Sequence, residues 1–227
     1  MAVKTVLSQK FRAYLFDLDG TLVDTAPDIH NALNHALHVQ GYPTIDESLT
    51  RHFIGHGGRA LIRAALAHHQ LPETHTETLL AAFLEYYGSH IADHSQPYLT
   101  VVPTLKALQS RGARLGIVTN KNSRLTALLA DALNLRHLFG SIISGDSAAR
   151  PKPAPDPVHM ALAELGATPD QTLFVGDSTT DIEAARAAGT AVVCVRYGYS
   201  HGVPVDALGA DATIGLFEEL LVKESLI

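Results

Sequence analysis

Two carboxylates stand two residues apart where a short apolar run ends, in Tyr14-Leu15-Phe16-Asp17-Leu18-Asp19, and Gly20-Thr21 follow directly. Like charges this close repel, so a positive partner is expected between them. Three more polar clusters come later: Thr119-Asn120-Lys121, Arg150-Pro151-Lys152-Pro153, and Gly176-Asp177 with Asp181 one helical turn further on. Carboxylates, a hydroxyl and a lysine are the groups that phosphate chemistry with Mg²⁺ requires. Mg²⁺ prefers oxygen ligands and is usually held by one or two carboxylates plus a substrate phosphate. Asp17 and Asp177 are the expected pair, with the backbone carbonyl of Asp19 as a third oxygen. A carboxylate can also attack phosphorus and form an aspartyl phosphate. Lys152 and the Thr119 hydroxyl, with Asn120 beside it, would hold the non-bridging oxygens. Asp19 is placed to move the proton of the leaving oxygen and then of the attacking water.

Such a set must converge, and the hydrophobic pattern says how. Residues 12–17 read as a short buried strand. After Pro97 apolar strands alternate with helical patterns: a helix at 101–111, a strand Arg114 to Thr119, a helix at 122–132, a strand Ser141–Ser144. A helix at 156–165, a strand Thr172 to Val175, a helix at 179–188 and a strand Ala191 to Val195 follow, then Ala212–Ile214 and a closing helix Leu216 to Lys223. Alternating βα units imply a parallel sheet with helices on both faces, an α/β Rossmann-like core whose ligands gather outside the carboxyl ends of the strands. Residues 25–95 instead read as wholly helical, with Thr25 or Asp28 as the first cap, Pro27 in the first turn and a break at Gly55-His56-Gly57-Gly58. The expected organisation is therefore 1–24 and 96–227 as the catalytic core and 25–95 as an inserted helical cap.

The 227 residues are 46 % hydrophobic and 18 % charged, an ordinary globular balance. A net charge of −6 gives no steering toward nucleic acid or an anionic membrane. Cys194, in a predicted buried strand, excludes an internal disulfide. Met1 to Gln9 lacks a long apolar signal segment, and no stretch has the roughly 20 apolar residues that span a bilayer. A cytoplasmic protein, monomer or homodimer, with a small phosphorylated substrate and no nucleic-acid or membrane partner, is expected.

Asp17-Leu18-Asp19-Gly20-Thr21, Thr119, Lys152 and Gly176-Asp177-Ser178-Thr179-Thr180-Asp181 stand in the order of the four motifs of the haloacid dehalogenase superfamily, which the chain resembles from about residue 12 onward. The resemblance implies Asp17 as nucleophile, Asp19 as acid/base, Thr119 and Lys152 as phosphate ligands, and Asp17, Asp19 and Asp177 around Mg²⁺. It implies Asp181 as an auxiliary metal or outer-shell residue and the helical insert as a substrate-selecting cap. Phe16 through Ile29, Phe53 to Gly57, Asn120-Lys121 and Val195 to Tyr199 are similar to the phosphoglycolate phosphatases of that superfamily. Asp19, absent from the dehalogenases, and the lack of any lysine in 24–95, which a Schiff-base phosphonate enzyme would need, separate the chain from other branches. A phosphatase for another small substrate, a phosphosugar mutase and a non-catalytic phosphate-binding module stand as alternatives.

Within the insert, Gly55, His56, Gly57 and Arg59 are candidates for touching substrate. The glycines serve equally to relax a helix–helix turn. Arg59 and Arg63 fit a solvated helix face as well as a carboxylate reader. Ten of the thirteen histidines fall in 24–95 without a tight metal-ligand pattern, so surface histidines are expected rather than a zinc site. Lys121 is a second candidate for phosphate, and Asp24 a hinge between core and insert.

Overall fold

The computed structural model describes residues 6, 7 and 9–221. Six parallel strands form one sheet: β1 (Ala13–Phe16), β4 (Arg114–Val118), β5 (Ser141–Ile143), β6 (Thr172–Gly176), β7 (Ala191–Val195) and β8 (Ala212–Ile214), in the order β5-β4-β1-β6-β7-β8. The order reverses at β1. Two strands extend from it in one direction and three in the other, so the carboxyl end of β1 lies at the crevice where open sheets bind ligands.

Side-chain alternation builds the two faces. Tyr14 and Phe16 point to one layer with Ile117, Val175 and Val193, covered by Val101, Leu105 and Leu108 of α5 (Val101–Ser110) and Leu129 of α6 (Ser123–Ala132). Ala13 and Leu15 point to the other with Phe174, Val192 and Cys194. That layer is covered by α7 (Asp156–Leu165) and α8 (Thr179–Ala188). Cys194 is fully buried there, and burial pushes its thiol pKa up, which suits packing rather than reactivity.

Between the first and second long strands run α1 (Ala26–Val39), α2 (Glu47–Phe53), α3 (Gly58–His68) and α4 (Thr76–Ser89). Ile29, Leu33 and Leu37 recur on one face of α1 and bury against Ile62, Leu66, Leu79 and Phe83, a cluster joined from the sheet side by Leu125 and Tyr199.

Several expectations change here. The short helix α2 falls inside the insert that reads as helical, although its seven residues ending at Phe53 give too little periodicity to mark it by themselves. The insert is flanked by an antiparallel pair, β2 (Val23–Asp24) with β3 (Gln96–Pro97), which no alternation in the sequence announces. Thr25 occupies the N-cap position of α1 but its side chain makes no cap hydrogen bond, and Asp28 lies inside the first turn. The Thr25 hydroxyl is turned to Asp19, 2.8 Å away. Asp28 accepts the backbone N–H of His94 and Ser95 and the Ser95 hydroxyl at 2.6–3.1 Å. The closing helix is a 3₁₀ turn, Phe217–Leu220, and the remainder of that expectation, Val222 and Lys223, lies outside the described residues. Part of the N-terminal expectation (residues 1–5 and 8) does as well. Among the described residues no helix is long and apolar enough to cross a membrane.

Asp28 is buried and joins the first turn of the insert to the point where the chain returns. Its carboxylate also suits the positive end of α1. Asp28→Ala strands buried donors, so a loss of about 2–4 kcal/mol in unfolding free energy is expected by urea denaturation. A change below about 0.5 kcal/mol would reject this tie.

Candidate active site

Asp17 leaves β1 at its carboxyl end, and Asp177 leaves β6 immediately alongside, because Phe16 pairs with Val175. Asp181 sits in the first turn of α8. Its Oδ2 accepts the backbone N–H of Asp177 and Ser178, each at 3.1 Å, and the Ser178 hydroxyl at 2.8 Å. A helix start is thereby tied to a strand end, and the three carboxylates each offer an oxygen within 4.8 Å of the others. Lys152 closes the group. Its ammonium donates to Asp17 Oδ1 at 2.8 Å and to Asp181 Oδ1 at 2.6 Å, and the side chain is almost wholly buried.

Two glycines make room. Gly20 adopts φ +85°, which a side chain rarely tolerates, and a Cβ there would lie 2.3 Å from Asp177 Oδ2. At Gly198 a Cβ would lie 2.2 Å from the Asp177 Cβ. Asp177 is also held by Thr21, whose hydroxyl donates to Oδ1 at 3.2 Å, and by the backbone N–H of Tyr199.

Three buried acids face one ammonium, and their acidities divide accordingly. Burial drives the Asp17 pKa from 3.8 up to about 7, with the Asp181 charge adding to the rise and Lys152 opposing it. Burial likewise raises Asp177 well above its ordinary value, reinforced by the charges of Asp181 and Asp17. For Asp181 burial also disfavours the charge, but Lys152, Ser178 and the Asp177 N–H overcome it and hold the pKa below 3.8. Asp17 and Asp177 are therefore under-compensated oxygens beside each other. That donor set suits a hard divalent cation, which would supply the missing charge. Among the described residues this is the only group of three or more acidic, histidine or cysteine side chains close enough to hold a metal.

Asp19 faces elsewhere. Its carboxylate accepts from Thr25 and from the ammonium of Lys121 at 2.9 and 3.2 Å. Lys121 also donates to the Tyr87 hydroxyl on α4 at 2.8 Å, with its ammonium 4.6 Å from the ring centroid. Burial opposes the Lys121 charge, but Asp19 and Tyr87 outweigh it and raise the pKa. The Thr119 hydroxyl accepts the Lys121 backbone N–H at 3.1 Å. The Asn120 amide donates to the carbonyls of Gly55 and Lys152, each at 3.0 Å, while its own oxygen is buried without a partner.

A cavity of about 60 Å³ lies over these groups. Asp17, Asp19, Thr119, Asn120 and Lys121 form its floor, and Ile29, Ile54, Leu61, Phe83, Leu84 and Tyr87 line it from the insert, with Gly55, Gly57 and Gly58 at the side. The other two candidates of that loop point away from it. His56 is absent from the lining and its ring lies 5.2 Å from that of His201. Arg59 pairs with Glu77 and Arg63 with Glu73 on the exposed outer face, because α3 turns its apolar stripe inward. Tyr87 was not anticipated; in sequence it is one more apolar position of an amphipathic helix. Tyr199 lay within a singled-out stretch, without a role. Its hydroxyl donates to Asp24 at 2.5 Å and accepts the N–H of Thr25 and Ala26 at 2.9 Å, while Arg51 of α2 grips the same Asp24 at 3.1 and 3.2 Å. Asp24 thus touches core and insert together.

A carboxyl whose pKa is higher folded than unfolded takes up a proton on folding. The stability due to Asp17 is therefore fully present below pH 3.8 and lost as the pH rises through about 7. With divalent cations chelated, Asp17→Asn is expected to raise Tm by several degrees near about pH 8, and the gain is expected to fade toward about pH 4. Thermal unfolding at the two pH values checks this, and a pH-independent difference would contradict it.

The family model for haloacid dehalogenase-like hydrolases matches residues 14–195. The chain is 39 % identical over 215 residues to phosphoglycolate phosphatase 1 of Pseudomonas aeruginosa, covering 92 % of this chain and 78 % of that protein. It is 38 % identical over 221 residues to a phosphoglycolate phosphatase of Haemophilus influenzae, covering 95 % and 99 %. The crystal structure of a predicted phosphoglycolate phosphatase from Haemophilus somnus superposes with a TM-score of 0.87 at 34 % identity, over 94 % of this chain and 97 % of that one. With the parallel sheet and the four polar strand ends, these matches establish that the chain belongs to the haloacid dehalogenase-like hydrolase family.

Proposed function

We propose that the protein is a Mg²⁺-dependent phosphatase that hydrolyses 2-phosphoglycolate to glycolate through an aspartyl phosphate on Asp17. The observation that carries this reading is the convergence of Asp17, Asp177, Asp181 and Lys152 beneath a small cavity that also contains Asp19. The names of the similar proteins point to the same substrate. In this reading Asp17, the carbonyl of Asp19 and Asp177 hold Mg²⁺, with Asp181 behind them. The ion would supply the positive charge that lets nucleophile and phosphoryl group approach.

A carboxylate oxygen of Asp17 attacks phosphorus, and the bond from phosphorus to the glycolate oxygen breaks. Protonated Asp19 gives its proton to that leaving oxygen. Water then attacks the phosphorus, Asp19 takes the water proton, and the Asp17 carboxylate departs. Lys152 and the Thr119 hydroxyl, with Asn120, hold the non-bridging oxygens in a preorganised site. Thr25 and Lys121 fix the Asp19 carboxylate for its two proton transfers.

Residues 25–95 act as a cap, with 1–24 and 96–227 as the core. The apolar wall that α1, α3 and α4 place over the site keeps water from the first step, and movement about Asp24 admits it for the second.

In a panel of phosphomonoesters ranked by kcat/KM, 2-phosphoglycolate is expected to lead, and a hexose phosphate in first place would overturn the substrate. Asp17→Asn is expected to lower kcat by at least about 10³-fold. Chelation by EDTA is expected to stop turnover and added Mg²⁺ to restore it. Turnover that persists in either case would remove the corresponding part of the mechanism.

A further inference from the structure

The cavity contains a lysine that holds Asp19 and has no contact with the phosphoryl group in the mechanism above. Lys152 serves the phosphoryl side, bonded to Asp17 and Asp181. Lys121 is a second buried ammonium, only 6 % exposed, and it is bonded to Asp19 instead. Asp19 stands where the leaving oxygen must be, so Lys121 stands beside whatever that oxygen carries. Among the described residues it is the only lysine or arginine that lines the cavity. None of the insert's arginines lines the cavity; Arg51 pairs with Asp24 and Glu47, Arg59 with Glu77 and Arg63 with Glu73.

Tyr87 completes the pair. Its hydroxyl oxygen accepts from Lys121, and its own proton meets no acceptor among the described residues. An ammonium and a free hydroxyl proton, set in an otherwise apolar wall, form a receptor for an anion. The geometry points to Lys121 and Tyr87 as the residues that read a carboxylate on the leaving group, and so select phosphomonoesters with an anionic group next to the ester carbon over neutral alkyl phosphates. In 2-phosphoglycolate the carboxylate is one carbon from the ester oxygen, so it stays within the cavity that Lys121 and Tyr87 line. This inference rests on the phosphatase reading above and adds to it the source of its selectivity. A site built to pair a polar group rejects analogues that lack it by large factors.

The test compares kcat/KM for 2-phosphoglycolate with that for ethyl phosphate, which keeps the two-carbon leaving group and lacks the carboxylate. The preferred-to-unpreferred ratio cancels any effect on Asp19 common to both substrates. The parent protein is expected to prefer 2-phosphoglycolate by about 10³-fold or more. Lys121→Met is expected to reduce that preference by about 100-fold, mainly through KM, and Tyr87→Phe by about 10-fold. Should Lys121→Met fail to fold, Tyr87→Phe carries the test, since it removes one oxygen and leaves the Lys121–Asp19 pair intact. A preference that survives in the folded variants, with both substrates slowed alike, would overturn the inference and leave Lys121 as a positioning residue for Asp19. No phosphate released from either substrate by the parent protein would remove the phosphatase reading and this inference together.

Discussion

The molecule is built around a charge imbalance. Asp17, Asp177 and Asp181 are buried within reach of one another, and a single ammonium, that of Lys152, is bonded into the group. A carboxylate out of water needs a counter-charge or a proton. Asp181 has the best compensation, with Lys152 on one oxygen and a helix start on the other, and it remains the strong acid of the three. Asp17 and Asp177 are left wanting, which raises both their pKa values and their attraction for a cation. Much else in the fold serves that cluster. The β1–β6 pairing brings the strand ends together, Gly20 and Gly198 give Asp177 its space, and α8 begins where its N–H groups can bind Asp181.

A second, separate pairing joins the chemistry to the helical insert. Lys121 bonds Asp19 on one side and Tyr87 of α4 on the other, and Thr25, the residue before α1, reaches the same Asp19. At the connection itself Asp24 is held by Tyr199 from the sheet and by Arg51 from α2. The position of the insert and the orientation of the proposed acid/base are thus set by a shared set of hydrogen bonds. Any movement of α4 away from the sheet must break or stretch the bond between Tyr87 and Lys121.

Most of the core was legible because its signals are local. Short apolar runs broken by helical periodicity identify parallel strands, and a parallel sheet by itself gathers Asp17, Thr119, Lys152 and Asp177 on one edge. Pairing of Phe16 with Val175 realises this. What could not be read are contacts between residues distant in sequence. Asp28 resembles a helix cap until Ser95, 67 residues away, is seen to be its partner. Arg59 resembles a substrate ligand until the burial of Leu61 and Ile62 turns the arginine outward to Glu77. His56 follows the same logic and meets His201.

The sequence alone determined the sheet, the sites of charge and the order in which they occur, because periodicity and residue type act over a few neighbours. Only the tertiary structure decided how the charges are shared. Lys152 takes Asp17 and Asp181 while Lys121 takes Asp19 and Tyr87. The string of letters ranks Lys152 ahead of Lys121 as a phosphate ligand but does not say which acid each lysine reaches. Burial and distance separate them, since an ammonium out of water goes to the acid it can reach, and that is fixed by packing.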